Sequence, residues 1–75
     1  MVRTMPVIDM KKTGENIKAM RKANNISVKD IVMNTGVSER AVFKWQQGKS
    51  VPTVDNLVVL AVMFNVTMDK IIATV

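Results

Sequence analysis

The side chains richest in binding chemistry lie close together. Glu39, Arg40, Phe43, Lys44 and Gln47 fall within the stretch NTGVSERAVFKWQQGKS, from Asn34 to Ser50. On a helix turning 100° per residue they share one side, while Ala41, Val42 and Trp45 share the other. Arg and Lys donate to guanine O6 and N7, Gln pairs with adenine, Glu accepts from cytosine N4, and an aromatic edge touches a thymine methyl. The outward side therefore carries the chemistry needed to read base edges. An ordinary amphipathic helix with a solvated outer face has the same pattern. The residues alone leave both readings open.

Other chemistry is easier to set aside. The chain has no His, the commonest general base and metal ligand. It has no Cys, which removes disulfides and thiolate metal sites. No pair of acids sits at helical spacing beside a nucleophile, and the few glycines form no phosphate-cradling loop. Asp55 and Asp69 fall near helix beginnings, where a carboxylate favours the helix dipole. Neither an enzyme nor a metal or cofactor site is expected.

Charge points to a partner. The formal net charge is +5, and ten of the eleven Lys and Arg lie within residues 1–50. A basic two-thirds joined to a near-neutral apolar remainder suits a polyanion on one face. A solvated basic surface fits the charge equally well. The apolar run LVVLAVMF, Leu57 to Phe64, is far short of the roughly 20 residues of a membrane span and reads as a core helix. No apolar leader segment is visible at the N-terminus. The expectation is a cytoplasmic, nucleoid-associated protein with no membrane partner.

Helix-start residues recur at short intervals: Thr13, Ser27, Ser38, Thr53 and Thr67, each able to cap the free N–H groups of a following helix. Asp30, three residues after Ser27, suggests a capping box. Breakers separate them at Asn24–Asn25, Gly36, Gly48, Pro52 and Asn65. No alternating strand pattern bounded by hairpin turns is present. The pattern predicts an all-α bundle of five helices over 13–24, 28–35, 38–47, 53–64 and 67–74. Residues 1–12 are expected to form an N-terminal arm before a single domain of 13–75.

Apolar positions at i, i+3 and i+4 name the core. Helix one offers Ile17, Met20 and Asn24, with Ala19 and Ala23 beside them. Helix two offers Val28, Ile31, Val32 and Thr35. Val37, Ala41, Val42 and Trp45 follow, then Leu57, Leu60, Ala61 and Phe64. The last helix offers Met68, Ile71, Ile72 and Val75. The methionines read as adaptable core filling.

Helices two and three are joined by Thr35-Gly36-Val37, and Ser38 caps the second of them. Two helices joined by a short turn containing glycine make a helix-turn-helix, whose second helix enters the DNA major groove. The chain here resembles the XRE-type, phage-repressor and Cro-like helix-turn-helix family. The resemblance covers roughly Thr13 to Ile72. It rests on Gly36, Val37, Ser38, Val42, Trp45, Gly48, Lys49 and Pro52 at the family's spacing, and on the later "DNL…LA…F" pattern. It implies a lambda-repressor-like bundle of five helices and regulation of transcription from operator DNA, with repression as the expected mode.

Carried over position by position, the resemblance makes Glu39, Arg40 and Lys44 base-reading residues, with Phe43 beside them on a thymine methyl or packed on its own helix. Ser38 would cap its helix and touch phosphate. Lys49 and Ser50 would follow the backbone, with Ser27, Lys29, Gln47 and Arg21 as further backbone contacts. Such contacts position a protein while base contacts specify.

Three positions depart from the family. Val28 replaces a phosphate-holding Gln, Val32 replaces a small Ala, and Gln46 replaces a Glu that pairs with an Arg matched here by Arg21. A neutral hydrogen bond can replace that pair but is weaker than a charge-assisted one, leaving Arg21 freer for phosphate.

The fourth helix is apolar nearly all round, with Val59, Val62 and part of Met63 expected outside the core. Excess apolar surface suggests self-association. A homodimer would set two reading helices about one DNA turn, ~34 Å, apart on a pseudo-palindromic double-stranded site. Two other roles use the same fold: an antitoxin bound to a protein partner, and a protein-interaction adaptor that does not read DNA alone.

Overall fold

A computed structural model describes residues 7–75. Five helices follow one another: α1 (Met10–Ala23), α2 (Val28–Thr35), α3 (Glu39–Gln46), α4 (Val54–Phe64) and α5 (Met68–Ile71). Three of the expected caps form. Ser27 Oγ accepts from the Asp30 N–H at 3.0 Å, while the Asp30 carboxylate accepts from the Ser27 N–H at 2.9 Å, closing the capping box. Ser38 Oγ accepts from the Ala41 N–H at 3.1 Å, and Thr53 Oγ1 from the Asn56 N–H at 3.4 Å. A cap of this kind is worth about 1 kcal/mol, so each helix start is fixed locally.

The first helix begins three residues before the expected start. Asp9, not Thr13, is its cap, its carboxylate accepting from the Lys12 N–H at 2.9 Å. Thr13 is buried inside the helix instead, and its hydroxyl accepts from the Ala73 N–H at 3.0 Å. The last helix is shorter than expected. Ile72 is already extended, at φ −76° and ψ 124°. Thr67 occupies the cap position there without a side-chain bond to the backbone. The chain leaves α5 in order to pair with its own beginning. Ile8 and Thr74 form an isolated antiparallel bridge, flanked by Asp9 N–H to Ala73 O and Val75 N–H to Val7 O, both 2.8 Å. These backbone bonds would be lost if the helix ran on to residue 74. Of the expected arm, residues 1–6 lie outside the described residues.

The core gathers Ile17, Ile31, Val42, Trp45, Leu57, Leu60, Ala61, Phe64 and Ile71. Burying one such large side chain contributes about 1.5–3 kcal/mol. The inner stripe of α1 is Thr13, Gly14, Ile17 and the half-buried Met20. Ala19, Ala23 and Asn24, expected on or beside it, are exposed. Val75, expected inward, is 88% exposed because the chain is extended there. α1 rests mainly against α3, and α2 against α3 and α4. α5 closes on α4 and α1, with Asn16 Nδ2 donating to Ile71 O at 3.0 Å. No helix among the described residues is long and apolar enough to cross a membrane.

Candidate nucleic-acid interface

The α2–α3 turn is built from short-range requirements. Gly36 ends α2 at φ +78°, the left-handed conformation that costs glycine nothing, and its N–H reaches Val32 O at 2.8 Å. A Cβ at Gly36 would meet nothing within 4 Å, so backbone conformation alone asks for glycine there. Thr35 Oγ1 donates to Ile31 O at 2.7 Å and accepts from the Val37 N–H at 3.3 Å, pinning the turn. Val37 then packs against the core and Ser38 starts α3.

Val42 and Trp45 anchor α3 in the core, and this sets which side faces out. Glu39, Arg40, Phe43, Lys44, Gln47 and Lys49 together line a shallow depression of about 400 Å³. All six are exposed. Among the described residues, the one ion pair lies elsewhere, between Lys12 and Glu15 at 3.9 Å. Arg40, Lys44 and Lys49 thus hold their charge outward without a carboxylate partner. An anion meeting this surface displaces only water and counterions. Phe43 stands in the middle, 47% exposed, its ring uncovered among polar neighbours.

The expected backbone-contacting residues divide into two groups. Ser27, Lys29, Ser38, Gln47 and Lys49 are exposed. The capping bonds use Ser27 and Ser38 as acceptors, which leaves their hydroxyl protons free to donate. The capping box also holds the Asp30 carboxyl below the usual carboxylate range, chiefly through the Ser27 N–H. At α5 the Thr67 hydroxyl does the same to Asp69. Ser50 is half-buried. Arg21 is held more tightly than its neutral partner suggested. Its Nε donates to Gln46 Oε1 at 3.1 Å and its Nη1 to Ile26 O at 3.1 Å. Gln46 therefore keeps the link between α1 and α3, and Arg21 is a brace with part of its guanidinium still accessible.

Val28 and Val32, the other two departures, are half-buried and pack against the core, so the added methyls are absorbed as apolar contact. On α4, Val62 is 77% exposed and Met63 is half-buried against the core, both as expected, while Val59 is half-buried. The outward stripe of α4 is Val54, Val58 and Val62, four residues apart. It borders a groove of about 840 Å³ that runs past Val66 to Met68 and Asp69 at α5.

Two glycines mark a close approach of α1 to the end of α3 that the sequence did not show. A Cβ on Gly14 would lie 2.1 Å from Trp45 O and 2.8 Å from Gln46 O. A Cβ on Gly48 would lie 2.7 Å from Lys11 Cα. For Gly14 the only sequence signal was a glycine inside a helical pattern, which often marks close packing.

Comparison with known proteins agrees with this arrangement. A sequence profile of the helix-turn-helix family matches residues 17–71. The chain is 27% identical over 59 residues to the HTH-type transcriptional activator BcrR of Enterococcus faecalis, an alignment covering 79% of this chain and 29% of that protein. The chain thus matches less than a third of that relative's length. The fold is similar to that of the restriction-modification controller protein C.AhdI from Aeromonas hydrophila, with a TM-score of 0.74 at 19% identity, covering 84% of this chain and 96% of that one. It is also similar to the DNA-binding domain of BldD, with a TM-score of 0.69 at 19% identity over 87% and 94% of the two chains. With the matched profile spanning most of its length, and with its paired α2 and α3, the chain belongs to the XRE-type helix-turn-helix family.

Proposed function

We propose that the protein is a sequence-specific, double-stranded-DNA-binding regulator of transcription that places α3 in the major groove. The observation that carries this reading is the outward face of α3. Arg40, Lys44 and the adjoining Lys49 project charge from a helix whose other side is locked by Val42 and Trp45. Glu39, Arg40, Phe43 and Lys44 read bases. Ser27, Lys29, Ser38, Gln47, Lys49, Ser50 and the remaining donors of Arg21 follow the backbone. The exposed α4 stripe supports a homodimer, with Val62 central and Val58 replacing the half-buried Val59 and Met63 as its neighbour. Occlusion of a promoter needs nothing beyond binding, so repression is the simplest mechanism. BcrR, described as an activator, makes recruitment the alternative outcome.

Selection of bound sites from a random duplex library at ~0.15 M salt tests this reading. Enrichment of an inverted repeat with half-sites one helical turn apart is expected. Folded protein that enriches nothing would overturn it. The uncovered ring of Phe43 favours a second reading, a protein-binding module of the adaptor or antitoxin kind. Salt separates the two, because phosphate-driven binding weakens steeply as salt rises and apolar binding does not.

A further inference from the structure

The approach of α1 to the end of α3 brings one more exposed lysine beside the residue that precedes Lys49. Gly48 lies just past the C-cap Gln47 of α3 at φ +74°, and the site of its missing Cβ is 2.7 Å from Lys11 Cα and 3.3 Å from Lys11 Cβ. One turn further along α1, Gly14 lies against the carbonyls of Trp45 and Gln46. The two glycines face opposite ways across one contact. Between them they let the first turn of α1 lie on the backbone at the end of α3, with no side chain in between. Lys11 is exposed there, beside Gly48. The next residue, Lys49, lines the depression with Gln47 and Lys44.

The neighbouring lysine is committed differently. Lys12 sits 3.9 Å from Glu15, while Lys11 has no carboxylate partner among the described residues. Lys11 precedes the residues 17–71 that match the family profile.

We propose that Lys11 is a DNA-backbone contact that acts together with Lys49, and that Gly48 and Gly14 hold it in place. This inference rests on the DNA-binding reading above. Two lysines carried by separate elements, one on α1 and one after α3, would then grip the same strand at one end of the reading helix. Their role is sequence-independent: they fix how far along the groove α3 sits, while Arg40 and Lys44 choose the bases.

The test uses a mixed-sequence duplex about three helical turns long, with affinity measured as salt is raised from about 50 mM to 200 mM. Each phosphate contact contributes about 0.9 to the slope of log K against log salt. Lys11→Gln and Lys49→Gln should each flatten the slope by about 0.9, roughly a threefold smaller loss across that salt range, and the double variant by about 1.8. Lys12→Gln should leave it unchanged. A wild-type slope in Lys11→Gln, alongside a flattened slope in Lys49→Gln, would overturn the role of Lys11 and leave the DNA reading intact. Wild-type protein that binds no duplex would overturn the DNA reading and this inference with it.

Discussion

The outer faces of α3 and α4 make the most instructive contrast in the molecule. Both helices bury their inner side in one core, α3 through Val42 and Trp45 and α4 through Leu57, Leu60, Ala61 and Phe64. Their outward sides have opposite chemistry. α3 shows Arg40, Phe43 and Lys44, charged around one ring, whereas α4 shows Val54, Val58 and Val62 and no charge in that stripe. The core explains neither face, since helices buried equally well carry different exteriors. On the proposed reading the two faces meet different partners, a polyanion at α3 and an apolar surface at α4. Salt should weaken the first contact and leave the second largely intact.

The contrast can be broken most severely on the apolar side. Val62→Glu should give a monomer by analytical sedimentation and lower affinity for a two-half-site operator by about 100-fold or more, because linked binding is lost. An unchanged dimer would remove α4 from the interface. On the polar side, Arg40→Ala should cost roughly 1–3 kcal/mol at one base position and relax preference there. Equal losses on every sequence would mean that Arg40 touches phosphate only.

A smaller change sharpens the contrast from behind. Gln46→Glu replaces the neutral amide oxygen that accepts from the Arg21 guanidinium with a carboxylate, turning the bond into an ion pair worth about 1 kcal/mol more. Thermal unfolding should shift upward, while DNA affinity falls slightly from the added negative charge. The smallest effect concerns pH. The Asp30 carboxyl is held below its ordinary range by the Ser27 N–H. Its contribution is therefore complete above the unfolded-state value and is lost as pH falls through the folded-state value. Melting temperature should decline on acidification through the carboxylate range, less so in Asp30→Asn, with α3 binding unaffected at neutral pH.

What could be read in the sequence was local. The bounds of α2 matched residue for residue because the Ser27–Asp30 box and Gly36 act within a few positions. The outward set on α3 followed from helical period alone. The misses came from contacts distant in the chain. Thr13 carries every feature of a cap, yet its partner is Ala73, sixty residues away. α5 ends at Ile71 because the beginning of the chain claims Ala73 and Val75. On α4, a helix apolar nearly all round gives periodicity little to decide, so the more exposed Val58 is not distinguished from the half-buried Val59. Gly14 and Gly48 act across α1 and α3, and no single stretch contains that contact.

The pairing of the two chain ends also has a mechanical consequence. Val7 and Val75 lie side by side and antiparallel, so tension applied through them would peel the pair open. The bond from Val75 N–H to Val7 O would carry the load first and alone, followed by the bond from Asp9 N–H to Ala73 O. Single bonds broken in turn, each worth about 1 kcal/mol net, yield at low force. Stress from neighbouring sequence would be spent on this zipper before it reached α3, so α3 would keep its place in the core while the pair gave way.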